Sequence, residues 1–262
     1  MFNAWIDDYK KINANAMGGN WFVSPLEYFW TDGKETLDKI FALPASSSRT
    51  QFDNLVAPEL FKKSMACHFR AQMIVLGFMK QNISKTYGLE IENGLLHLYR
   101  LDFLSAISQW TYIIEGYSRK LFKVQSNQSS KYKDWTIPKV NDKNLDDLIS
   151  CLAGCLGDFF NGVLFASSND RNLETINRHL LLHGNAENNN VFNQKNCLLL
   201  MFCLDALLVI EMVQSRVFPG ILDSSNEDDH KVKKREFLYG QFLKSAFKDE
   251  NLLKIEILKE HV

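Results

Sequence analysis

The stretch from Leu198 to Val213 limits what this chain can fold into more than any other. It is apolar on every side and is interrupted only by Asp205 and Glu211. A helix with no polar face has to be surrounded by other elements, so this one belongs at the centre of the molecule. The run is shorter than the roughly 20 residues of a membrane span and contains two acids. It reads as the core helix of a soluble, all-α protein, expected over 191–216 with Leu198, Phe202 and Leu208 buried. Asp205 has Met201, Phe202, Leu208 and Val209 three and four residues away. Its carboxylate is therefore expected to be buried and to require a partner.

Three further helices complete a four-helix core over residues 96–218. The first is expected over 98–124, where Leu98, Leu101, Leu104, Ile107, Trp110, Ile113 or Ile114, Tyr117, Leu121 and Val124 recur every three or four residues. The second, over 144–166, starts at Asn144 as N-cap, with Asp146 and Asp147 in the first turn. Leu145, Leu148, Leu152, Cys155 or Leu156, Phe159 and Val163 form its buried stripe. The third is short, 171–183, capped by Ser167-Ser168-Asn169-Asp170 and ended by Gly184. Residues 1–95 read as shorter helical pieces broken by Gly18-Gly19, Pro25 and Pro44. One strong helix from near Pro58 carries Phe61, Met65, Phe69, Met73 and Leu76. Residues 219–262 are a linker from Pro219-Gly220 to Asp229, then a last helix from near Lys231. Strand-like alternation is too sparse for a sheet.

The balance of charge excludes a general attraction to polyanions. Formal net charge is -1, so any nucleic-acid contact has to come from a local patch such as Arg119-Lys120, Lys131 to Lys133 or Lys231 to Arg235. Met1 to Asp8 carries acids where a signal peptide needs bases, and no apolar segment follows. Five cysteines, an odd number without a C-x-x-C pair, fit reduced thiols in a cytoplasmic protein. Cys151 and Cys155, one turn apart, read as core. Phosphate loops, dinucleotide fingerprints, nucleophile elbows and H-E-x-x-H motifs are all missing from the sequence. Asp7-Asp8, Asp146-Asp147 and Asp228-Asp229 occupy capping or solvated positions.

What remains is Asn177-Arg178-His179-Leu180-Leu181-Leu182-His183-Gly184. An Arg followed after four residues by His resembles the Arg-x4-6-His signature of the HEPN superfamily of helical ribonuclease and nucleotide-binding domains. The wider Asn-Arg-His-x-x-x-His-Gly string, the Leu-rich helix with Leu204-Asp205, and Glu115-Gly116 in the first core helix are similar to a HEPN variant. The resemblance covers about residues 96–218 and implies a HEPN-like bundle and a metal-independent endoribonuclease of the toxin or antiviral-defence group. It also implies a homodimer with residues 178–183 near the interface, an RNA substrate and a possible antitoxin or defence-system partner protein. No cofactor, metal or membrane is implied.

The chemistry of that reading is consistent. Metal-free RNA cleavage needs a base for the ribose 2′-OH, a cation for the charge gathering on the phosphate, and an acid for the leaving 5′-oxygen. Histidine titrates near neutrality, and arginine stays charged with a planar fork matched to phosphate. His183 is then the base, Arg178 the clamp, and His179 the acid or a substrate contact, giving 2′,3′-cyclic phosphate and 5′-OH ends.

Other readings stand beside it. His179 and His183 are spaced to share a zinc ion, without an evident third ligand, or His183 caps a helix end. Glu115 is either a site residue or a solvated helix carboxylate, and Asp205 either aims Arg178 or pairs structurally. For the whole chain, the alternative is a non-catalytic helical adaptor or nucleotide-sensing module that binds a partner protein.

Overall fold

The computed structural model describes residues 2–26, 42, 53, 60–61, 64–125, 127, 134–166, 176–177, 191–217 and 224–246. Among these residues the fold is all-helical, without a strand. The α-helices are α1 (Phe2–Gly18), α2 (Cys67–Gln72), α3 (Gly88–Tyr99), α4 (Phe103–Leu121), α5 (Lys143–Phe159), α6 (Gln194–Gln214) and α7 (Asn226–Ala246). Helices α2 and α5 continue into wider π-helical segments, Met73–Phe78 and Phe160–Leu164.

Helix α6 is the centre. The Asn193 carboxamide caps its first turn, accepting from the Asn196 amide at 2.8 Å. Every residue from Asn196 to Val213 is buried, including Leu198, Phe202 and Leu208. Both Gln194–Gln214 and Lys143–Leu164 are long and apolar enough to cross a membrane by length and composition alone, but the apolar stretch of Gln194–Gln214 is buried inside the protein, as that of a core helix is.

Helices α4 and α5 flank α6. The Cys197 thiol lies 4.0 Å from the Phe103 carbonyl near the starts of α6 and α4, and the Tyr117 hydroxyl lies 2.6 Å from Glu211 near their ends. These two helices therefore run in the same direction. Helix α5 ends where α4 ends, because Trp135 stacks on Phe122 at 3.9 Å and meets Phe160 edge-on at 5.5 Å. Residues 135–142 form a non-helical strap that carries the chain back to the start of α5. An extended segment of that length reaches about 26 Å, and a helix the length of α5 is about 26 Å long. Beside α5 lies α1, with the Ile6 carbonyl 3.8 Å from the Cys151 thiol.

Several boundaries differ from the sequence expectation, each for a local reason. The helix expected over 98–124 is two: α3 contains Leu98, Leu101 takes a left-handed backbone (φ 61°), and Asp102 caps α4 by accepting from the Ser105 amide at 3.1 Å. The division at 95/96 consequently falls inside α3. The helix expected from Pro58 is interrupted at Met65 and Ala66, where Ala66 is extended (ψ 126°). Ile176 and Asn177 lack helical backbone, so the helix expected over 171–183 is broken there; the rest of that span lies outside the described residues. The last helix starts at Asn226 and not near Lys231, because Ser225 and Asp228 cap it reciprocally: the Asp228 amide donates to Ser225 Oγ, and the Ser225 amide to the Asp228 carboxylate. One contiguous buried cluster draws on all three sequence stretches, from Trp5 and Trp21 through Trp110 to Tyr239.

Candidate functional site

Arg178, His179 and His183 lie outside the described residues. Asn177, immediately before Arg178, is buried. Its carboxamide donates to the Ala166 carbonyl at 3.0 Å and to the Val163 carbonyl at 3.4 Å. The end of a helix leaves carbonyls without intrahelical donors, and an Asn side chain readily turns to such groups at the expense of its own helical backbone. The chain is thus tied, one residue ahead of Arg178, to the end of the helical run that begins as α5. Through Phe165, Phe160 and Trp135, that end is in ring contact with Phe122 at the end of α4.

Glu115 sits on the last third of α4. Arg119, one turn on, donates to Glu115 Oε1 from Nε and Nη2, both at 3.2 Å, and to the Gln125 carbonyl at 3.1 Å. The carboxylate is half-buried and balanced by a guanidinium, so it is more than a solvated helix charge. The i,i+4 spacing was the available signal.

Asp205 is fully buried, as its apolar neighbours required, and its partner is Arg70. Arg70 Nη1 donates to Oδ1 at 2.8 Å, and the Ser24 hydroxyl donates to Oδ2 at 3.4 Å. Burial pushes the Asp205 carboxyl above the ordinary carboxylate range, and the Arg70 charge and hydrogen bond pull it back. Arg70 also donates through Nε to the Ser64 carbonyl and lies over the Phe69 ring at 4.9 Å. Of the two readings of Asp205, structural pairing is the one with a partner among the described residues: the cation that neutralises it is Arg70, and Arg178 lies outside the described residues. Arg70 has Ala66, Cys67, Met73 and Ile74 three and four residues away, the same apolar surroundings that marked Asp205.

Glu211 is a second buried carboxylate on α6 and was not singled out from the sequence. It accepts from the Ile83 amide at 2.6 Å, the Ser84 amide at 3.1 Å and the Tyr117 hydroxyl at 2.6 Å. Burial and the Glu211 charge push the Tyr117 phenol well above its ordinary range. These contacts fix the turn before α3 to the core; they do not form an open site.

Cys151, Cys197 and Cys203 are buried, Cys67 and Cys155 half-buried, and all five carry free thiols. Cys151 and Cys155 are neighbours across one turn of α5, and their interaction raises the Cys155 thiol and lowers that of Cys151. Among the described residues no group of three or more His, Cys, Asp or Glu side chains is placed to hold a metal ion. Of the basic stretches, Lys131 to Lys133 lie outside the described residues. On α7, Arg235 is taken up by Glu92 and Lys231 by Glu227.

Comparison of the chain with family models, curated proteins and solved structures found no match.

Proposed function

We propose that the chain is a metal-independent endoribonuclease of HEPN type, a cytoplasmic toxin or antiviral-defence effector acting as a homodimer. The observation that carries the reading is the Asn177-Arg178-His179-x-x-x-His183-Gly184 string. It is supported by the anchoring of Asn177 at the end of the α5 run, which restrains the chain beside Arg178. The α-helical surroundings and the Glu115–Arg119 pair on α4 suit it as well. His183 takes the proton of the ribose 2′-OH as that oxygen attacks phosphorus. Arg178 holds the non-bridging oxygens, and the P–O5′ bond breaks as the 5′-oxygen receives a proton, from His179 when that residue is the acid.

Purified protein incubated with total RNA tests the reading. Cleavage should leave 2′,3′-cyclic phosphate ends and persist in chelator. Arg178→Ala and His183→Ala should each abolish it while the protein stays folded, since a positioned acid-base group contributes about 10²–10⁴-fold. Alanine variants that cleave like wild type would remove these residues from catalysis. Loss in chelator would revive zinc at His179 and His183. A folded protein that cuts no RNA yet captures a partner protein would leave the adaptor reading.

A further inference from the structure

The proposed ribonuclease needs a surface that holds the rest of the strand, and a net charge of -1 requires that surface to be local. Several cations of the described residues are held by carboxylates. Arg70 is buried against Asp205, Lys80 pairs with Asp228, Lys195 with Asp53, and Arg235 with Glu92.

Lys85, Lys120 and Lys123 are set apart by their position near the end of α4. All three are exposed, and none has a carboxylate partner among the described residues. Lys120, in the last turn of α4, reaches across to the segment before α3, donating to the Thr86 hydroxyl at 3.2 Å and lying over the Tyr87 ring at 4.5 Å. That contact places it next to Lys85. Lys123 follows the helix with a left-handed backbone (φ 52°), two residues before Gln125, whose carbonyl holds Arg119. The basic residues of a last turn commonly serve the helix dipole. Lys120 instead extends onto a neighbouring segment, the single 3-10 turn Ser84–Thr86 that contains Lys85.

This rim lies at the end of the bundle where Asn177 is anchored. Phe122, between Lys120 and Lys123, stacks on Trp135, which leads through Phe160 to the end of the α5 run and so to the Asn177 tether. Asn177 immediately precedes Arg178 in the sequence.

We propose that Lys85, Lys120 and Lys123, with the Tyr87 ring, form the surface along which single-stranded RNA runs into the site. The lysines meet its phosphates and the aromatic edge faces a base. The inference rests on the ribonuclease reading for its ligand. Phosphate contacts release counterions, so three lost contacts should reduce the slope of log affinity against log salt by about 2 for a single strand.

The experiment uses the full chain and a fluorescein-labelled 2′-O-methyl RNA of single-stranded sequence, which binds but lacks the nucleophile. Binding is followed by anisotropy across a salt series. K85E/K120E/K123E should weaken binding at least tenfold and flatten the salt slope, while K85R/K120R/K123R retains both. K233E/K234E, on the exposed side of α7, should match wild type. With cleavable RNA at saturation, the charge-reversed variant should keep the single-turnover rate, separating this surface from Arg178 and His183. Wild-type binding that is indifferent to charge reversal, or lost equally in K233E/K234E, overturns the proposal even when cleavage is intact. Patch-dependent binding without cleavage by wild type upholds it and removes the ribonuclease reading. Failure of wild type to bind RNA at all overturns both.

Discussion

Helices α6 and α7 are each 21 residues long, and they are held by different forces. Helix α6 buries nearly every side chain. Its two acids are met inside the core by Arg70 and Ser24 at one level, and by Tyr117 and the amides of Ile83 and Ser84 at another. Helix α7 buries only Val232, Tyr239 and Ala246, and leaves Phe237 and Leu238 exposed. It is fastened mainly by polar contacts: Arg235 grips Glu92 through Nε at 2.8 Å and Nη2 at 3.1 Å, Tyr239 donates to the same carboxylate at 2.7 Å, and Lys80 meets Asp228 at 2.8 Å. A carboxylate on α6 cannot be relieved by water when its partner is lost. One facing α7 can.

The comparison can be broken at four points. The largest effect should come from Asp205→Ala, which strands Arg70 in the core. A buried pair broken on one side costs roughly 3–5 kcal/mol, to be read from the denaturant midpoint. Replacing both members with apolar residues, as in R70M/D205L, should recover much of that loss, and a double variant no better than the single one would show the pair to be worth more than its repair.

Glu211→Ala comes next. It leaves the Ile83 and Ser84 amides and the Tyr117 hydroxyl without their acceptor, and orphaned buried donors cost about 1–3 kcal/mol. The accompanying signature is faster amide exchange at residues 83–87 and a Tyr117 phenol freed of its anionic neighbour. Unchanged exchange at these amides would mean that the turn is held by other contacts.

Arg235→Ala should have a smaller effect on global stability, about 1 kcal/mol, because its pair with Glu92 is partly open to solvent. Its effect should concentrate on α7, where amide protection falls while that of α6 is unchanged. Added salt should weaken α7 in wild type in the same direction, by screening. Loss of protection that spreads equally to α6 would show that the two helices form a single cooperative unit.

The smallest effect belongs to Asp228→Asn. Lys80 and the hydrogen bonds of Ser225 lower the Asp228 carboxyl to about 2. A carboxyl depressed in the folded state stabilises above its unfolded pKa, about 3.9, and that contribution is lost as pH falls through the folded value. The melting temperatures of wild type and Asp228→Asn should therefore differ at pH 5 and converge between about pH 4 and pH 2. A difference that persists at pH 2 would assign it to the cap geometry of Asp228 and not to its charge.

What could be read in advance follows the same division. The position of α6 was legible because a run apolar on all sides has one solution, and the burial of Asp205 followed from its i±3 and i±4 neighbours. Its partner was not legible, since 135 residues separate Arg70 from Asp205 and no local pattern links them. The end of α3 was missed because a left-handed Leu101 leaves no mark on apolar spacing; Asp102, a ready N-cap three residues before Ser105, was the usable sign. Of the candidate site, the i,i+4 relation of Glu115 to Arg119 was readable. The tether of Asn177 to Val163 and Ala166 depends on where α5 ends and could not be inferred from the motif itself.

The strap over residues 135–142 has a kinetic consequence. Two successive helices joined by a tight turn can zip together from the turn outward, at little loop-closure cost. Here the chain leaves the end of α4 and travels back beside α5. It then ends α5 at the pole where α4 ended, so the aromatic junction of Phe122, Trp135 and Phe160 closes only after α5 has formed. Such an order raises the mean sequence separation of the contacts that define the native state. Chains of higher contact order fold more slowly at equal stability. The refolding of this protein should then be slow for an all-helical chain, with native burial of Trp135 a late event.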